Sequence, residues 1–165
     1  MTFRSDALRF SLGPEPGVLR FTLGPELMTA QGKPHGWMRA VPAKIGRFAR
    51  MLTPKRERAY QAAVKAIALK AAREQGFRVE PGEPVAFYVS SYLRRPKRIK
   101  DRTSPMWAPV KPDADNIAKS IMDALEPDVV PDDKQVVCLR AMKLYATDDE
   151  SPRVEVVVVR SPEMN

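Results

Sequence analysis

Residues 113–125 admit one regular fold. At ~100° per residue, Ile117, Ile121, Ala124 and Leu125 fall on one side of a helix, and Asp115, Lys119 and Asp123 on the other. The pattern predicts an amphipathic helix from Asp113 or Asp115 to Leu125. Its apolar stripe needs a second layer to cover it.

The rest of the chain supplies that layer. Strand-like runs occur at Val18 to Leu23, Glu83 to Leu93, about Gln135 to Tyr145, and Val154 to Val159. A second helix is marked by Thr53 as a cap, Pro54 in the first turn and Gly76 as the stop. Tyr60, Val64, Ile67 and Ala71 give it one apolar stripe. The last two strands, joined through Thr147 to Pro152, read as a hairpin. The order β, α, β, α, β, β predicts an α+β, two-layer domain: a mixed sheet of about four strands with two helices packed on it. Its expected bounds are residues 18–160. Residues 1–17 are an N-terminal extension, either poorly ordered or a paired extra strand. They hold Leu8-Arg-Phe-Ser-Leu-Gly-Pro-Glu15, which recurs as Leu19-Arg-Phe-Thr-Leu-Gly-Pro-Glu26.

Charge separates two regions. The chain carries 28 Lys+Arg against 20 Asp+Glu, a formal net charge of +8, which points to an anionic partner, nucleic acid first. Residues 27–52 show no clear period and hold Lys33, His35, Arg39, Lys44, Arg47 and Arg50 among Trp37 and Phe48. Such a mix suits DNA backbone contact and base stacking, although a solvated loop with Trp37 in the core fits as well. A second basic run, Arg94, Arg95, Lys97, Arg98, Lys100 and Arg102, follows the Glu83 strand and is interrupted by Pro96. The single cysteine, Cys138, excludes an intrachain disulfide. The N-terminus lacks an apolar signal core and no run reaches the ~18 apolar residues of a membrane span, so a cytoplasmic protein with no membrane partner is expected.

Within this basic chain stand Asp113, Asp115, Asp132 and Asp133, with Lys119 one turn after Asp115. Carboxylates are the ligands of a hard cation such as Mg²⁺, and a cation held beside a basic surface is the charge layout of a metal-dependent nuclease. Asp113 and Asp115, near a helix start, can aim at one point, with Asp133 opposing them. Lys119 can then stabilise charge at a phosphate or protonate a leaving group. A plainer account also fits. Asp113 or Asp115 can cap the helix, Asp115–Lys119 can be an i, i+4 ion pair, and Asp132-Asp133 can be turn chemistry. An EF-hand is excluded by Ala118 and Ala124 at the positions needing Gly and Glu, and zinc by the pairing of one His35 with one Cys138.

Asp113-x-Asp115-Asn116-x-x-Lys119-x-x-x-Asp123-Ala-Leu125, then Asp132-Asp133-x-Gln135-Val136, resembles the RusA family of Holliday junction resolvases, often encoded by prophages. Gln31-Gly-Lys-Pro34, Leu52-Thr-Pro-Lys55 with Tyr60, and Lys143 extend the likeness over roughly residues 18–160. The resemblance implies a homodimeric, Mg²⁺-dependent endodeoxyribonuclease, with Mn²⁺ as a substitute, that nicks four-way junction DNA symmetrically in recombination and repair. It implies Asp113, Asp115 and Asp133 as metal-binding catalytic acids, Asp132 as a weaker ligand and Lys119 as the catalytic lysine. Asn116 and Asp123 would support the site. Lys33, Arg39, Arg47, Arg50, Arg94, Arg95, Lys97, Arg98, Lys100 and Lys143 are the candidate DNA contacts. Two departures stand out: a longer loop from Pro34 to Arg50, and His35 where an arginine is expected. A non-catalytic junction-binding protein and a nuclease for another branched nucleic acid remain as alternatives.

Overall fold

The computed structural model describes residues 15–36, 38, 41–45 and 48–161, the side chains of 41–45, 48–50 and 52 excepted. All but Glu15 of the first copy of the N-terminal near-repeat, together with Trp37, Arg39, Arg47 and the Arg50 side chain, lies outside the described residues.

The class is α+β. A mixed five-stranded sheet is built from β1 (Val18–Leu23), β4 (Val85–Leu93), β5 (Met106–Trp107), β6 (Val136–Tyr145) and β7 (Arg153–Arg160), in the order β1-β7-β4-β6-β5. Only β4 and β6 run parallel; the other neighbours are antiparallel. Two helices, α1 (Lys55–Gln75) and α2 (Ala114–Leu125), pack on each other, α1 against β1 and α2 against β6. A separate antiparallel pair, β2 (Val41–Ile45) with β3 (Phe48–Leu52), precedes α1.

Alternation explains which side is covered. Leu19, Phe21 and Leu23 of β1, Val154, Val156 and Val158 of β7, and Phe87 and Val89 of β4 are buried in one core with Tyr60 and Val64 of α1 and Ile117, Ile121 and Leu125 of α2. The α2 stripe is thus buried as its spacing requires. In α1 the buried line runs through Glu57, Tyr60, Val64, Ala68, Ala71 and Ala72, with Ile67 only partly covered. Pro54, not Thr53, takes the cap position, and no side chain caps the helix. At the other end Gly76 is left-handed (φ 62), and Phe77 N–H bonds to Ala72 O at 2.9 Å while the Phe77 ring is buried.

Three expectations change. The last two strands form no hairpin with each other, because β4 lies between them, parallel to β6 and antiparallel to β7. The physical reason is burial: seven of the nine β4 residues are buried, a run that only a central strand satisfies. The sheet has five strands rather than about four, since Met106–Trp107 pairs with Leu144–Tyr145. Val41–Ile45 and Phe48–Leu52 are a strand pair, not an irregular loop. Val41, Ala43 and Ile45 already alternate with Pro42 and Lys44, but the proline and the interspersed cations hide that period.

Candidate active site and basic cleft

The crossover from β4 to β6 carries both charged regions. After β4, the basic run forms a loop held from inside. Arg95 is buried, its guanidinium donating to Asp101 O and Ser104 O, each at 2.7 Å. Arg102 is bound to the Asp148 carboxylate at 2.6 Å and also donates to Pro96 O. Asp101 accepts the backbone N–H groups of Thr103 and Ser104, both at 3.0 Å. Bonding to Ser104 above all, then to Thr103, pulls the Asp101 carboxyl down to about 2. Inward-facing Arg95 therefore builds the loop and presents nothing to DNA. Arg94, Lys97, Arg98 and Lys100 are exposed.

Lys33 reaches the same place from the other side. Gly32 has φ 66, and a Cβ there would lie 2.6 Å from Arg94 Cβ, so only glycine lets the two segments touch. Arg94 N–H bonds to Gly32 O at 2.9 Å, and Thr29 and Lys33 close the turn with a 2.8 Å backbone bond. Lys143, a candidate DNA contact, donates to Val110 O at 2.5 Å and Pro112 O at 2.8 Å. It steadies the approach to Asp113 instead of projecting outward.

The acidic residues then follow. Asp113 is the N-cap residue of α2, yet its side chain makes no cap bond, which removes the simplest structural role for it. Asp113, Asp115 and Lys119 are exposed, and Lys119 lies 3.7 Å from Asp123. Asn116 is half-buried at the helix start. Asp132 behaves as turn chemistry predicts: its carboxylate accepts Lys134 N–H at 3.0 Å and pairs with Lys134 Nζ at 2.6 Å. The Lys134 side chain first, and its backbone N–H second, hold that carboxyl below its ordinary range. Asp133 is exposed in the 3-10 turn Asp133–Gln135 that leads into β6. The helix thus gathers Asp113, Asp115, Lys119 and Asp123. Among the described residues no group of three acidic, histidine or cysteine side chains is arranged to hold a metal ion. The donor chemistry still fits Mg²⁺, which keeps several waters and takes further oxygens from a phosphate.

Two groups escaped the sequence reading. Glu57 is fully buried and accepts from Ser120 Oγ and His35 Nε2 at 2.7 Å, and from Met38 N–H and Gln61 Nε2 at 3.1 Å. His35 stacks on Tyr60, with ring centroids 4.3 Å apart. Burial first, and the Glu57 carboxylate second, push the Tyr60 phenol well above its ordinary range. This knot ties the Lys33–Met38 segment to both helices. The available signal was a carboxylate three residues before Tyr60, on the core side of α1. Gln135 is the other: its amide donates to Glu80 O and Glu83 O, both at 2.8 Å, and so anchors the Asp132-Asp133 turn.

Exposed carboxylates and an internally braced basic loop share the β4–β6 crossover of an α+β domain, a charge layout that suits an anionic partner. Comparison with known proteins gives the particular family. A sequence profile described as Endodeoxyribonuclease RusA matches residues 31–159. The chain is also similar to the uncharacterized protein YqaN of Bacillus subtilis (strain 168), 31% identical over 161 residues, covering 93% of this chain and 96% of that protein. The chain belongs to the RusA endodeoxyribonuclease family. Among the described residues no helix is long and apolar enough to cross a membrane.

Proposed function

We propose that the protein is a cytoplasmic, Mg²⁺-dependent Holliday junction resolvase that cuts four-way DNA by paired symmetric nicks in recombination and repair. The observation that carries this is the Asp113–Asp115 pair: two exposed carboxylates at the start of α2, Asp113 unspent on capping, on the same crossover as the exposed cations Arg94, Lys97, Arg98 and Lys100.

Asp113, Asp115 and Asp133 hold the cation in this reading, with Mn²⁺ as a substitute. Asp132, engaged by Lys134, is the weaker ligand. The bound cation supplies charge to the scissile phosphate and acidity to the attacking water. Lys119 offsets the charge that develops on the phosphate, or protonates the leaving oxygen. Asp123 holds Lys119 in place, and Asn116 supports the helix start. Lys33, Arg94, Lys97, Arg98 and Lys100 hold the flanking phosphates, joined by Arg39, Arg47 and Arg50 from the preceding segment. Paired cuts in a two-fold junction call for a homodimer with one site per subunit.

Incubation with a labelled four-way junction, with and without Mg²⁺, beside linear duplex of the same sequence, tests this. Symmetric nicks in the junction alone, only with Mg²⁺, are the expected result. Binding with no cleavage in Mg²⁺ or Mn²⁺ would replace it with a junction-binding protein, a reading favoured by the lack of a three-ligand cluster among the described residues. Cleavage of flaps or forks in preference to the junction would move the activity to another branched DNA.

A further inference from the structure

The cations exposed at the loop after β4 do not form a flat patch. Lys33, Arg94, Lys97 and Arg98 surround a cleft of about 420 Å³ whose remaining walls include Pro96, Val110 and Tyr145. Tyr145 and Leu93 below it belong to a small second core with Ala108, against which Ile99, Met106 and Val110 pack. Among the described residues no carboxylate lines the cleft. Every wall is braced from behind: the Lys33 side by the Gly32–Arg94 backbone bond, the loop by Arg95, and the Val110 side by Lys143.

Phosphate contact alone would need only the cations. A braced recess with an apolar lining, of a size within the roughly 300–1,000 Å³ of small-ligand sites, suits a flat apolar group attached to a phosphate. In nucleic acid that group is a base, and a base inside a duplex has no free face to offer. We infer that this cleft is a nucleotide subsite that takes one unpaired or unstacked base of a DNA strand, with its flanking phosphates on Lys33, Arg94, Lys97 and Arg98. Val110 stands three residues before Asp113. Resting on the nuclease reading, this places the captured nucleotide next to the phosphate to be cut. The subsite would favour branch points, where unstacking a base costs least.

The test needs no cleavage. Full-length protein in EDTA is titrated with a short labelled single strand and with the same strand carrying one abasic residue, at two salt concentrations. Losing the base's contact with the recess should make the abasic strand bind about tenfold more weakly while the salt dependence stays the same. Equal affinities would reduce the cleft to a phosphate groove and overturn the inference. Val110→Trp, which fills the recess, should abolish the difference between the two strands; a difference that persists in folded Val110→Trp would put the base elsewhere and also overturn it. Base discrimination without any junction cleavage would leave the subsite standing and sink the nuclease reading, whereas cleavage without discrimination would do the reverse.

Discussion

Glu57 and the Asp113–Asp115 pair are carboxylates at opposite sides of one helix. Glu57 meets α2 from within through Ser120, has no exposure, and is engaged by four donors at 2.7–3.1 Å. Asp113 and Asp115 stand at the solvent side of the same helix, and Asp113 declines the cap bond its position offers. Burying a charge is costly unless it is fully hydrogen-bonded, so Glu57 had to be surrounded. The exposed pair is under no such demand. Asp101 is an intermediate case: exposed, yet committed to the backbone of its own loop. What a carboxylate is bonded to, more than where it sits in the sequence, separates structural acids from chemical ones.

The largest effect should come from the buried member. Glu57→Ala strands His35, Ser120 and Met38 N–H without an acceptor, and each buried donor left unsatisfied costs about 1–3 kcal/mol. Urea unfolding should show that loss; a change below about 1 kcal/mol would mean the knot is not built as described. Lys119→Ala should instead leave stability within about 0.5 kcal/mol while lowering junction turnover about 10²-fold at similar affinity. Unaltered turnover would return Lys119 to a plain ion pair with Asp123. Gly76→Ala is the control for a structural lesion far from the acids. Its left-handed φ of 62 makes it cost about 1–2 kcal/mol, with the rate of the folded protein unchanged. The smallest effect concerns Asp101. Its folded value is depressed to about 2, so its contribution is complete above the ordinary carboxylate range and is lost as pH falls toward 2. NMR titration of the 94–104 loop should show this acid transition, and Asp101→Asn should remove it.

The α2 helix was legible because both of its faces follow one period, apolar inward and acidic outward. The strand of Val18–Leu23 was legible to the residue, since Gly24-Pro25 ends it. Strand order was not. A sequence shows that Val136–Tyr145 and Arg153–Arg160 are extended, but the insertion of β4 between them is a long-range consequence of its burial on both faces. Met106–Trp107 is too short to carry a period at all. Within the charged runs, sequence could not sort Arg95 and Lys143, which brace the loops, from Arg94, Lys97 and Arg98, which face outward; all are cations, and only the tertiary partners differ. By sequence Asp132 suits both a ligand and a turn residue, and its bonds to Lys134 favour the turn.

On the proposed function, the solvent side of α2 performs chemistry while its inner side maintains the fold. Asp115→Asn tests this most directly, with junction binding, cleavage in Mg²⁺ and urea unfolding measured on the same preparation. Cleavage should fall by about 10³-fold or more, with binding retained and stability within about 0.5 kcal/mol of the parent. Full cleavage, or a loss of activity that merely tracks a loss of folding, would contradict it.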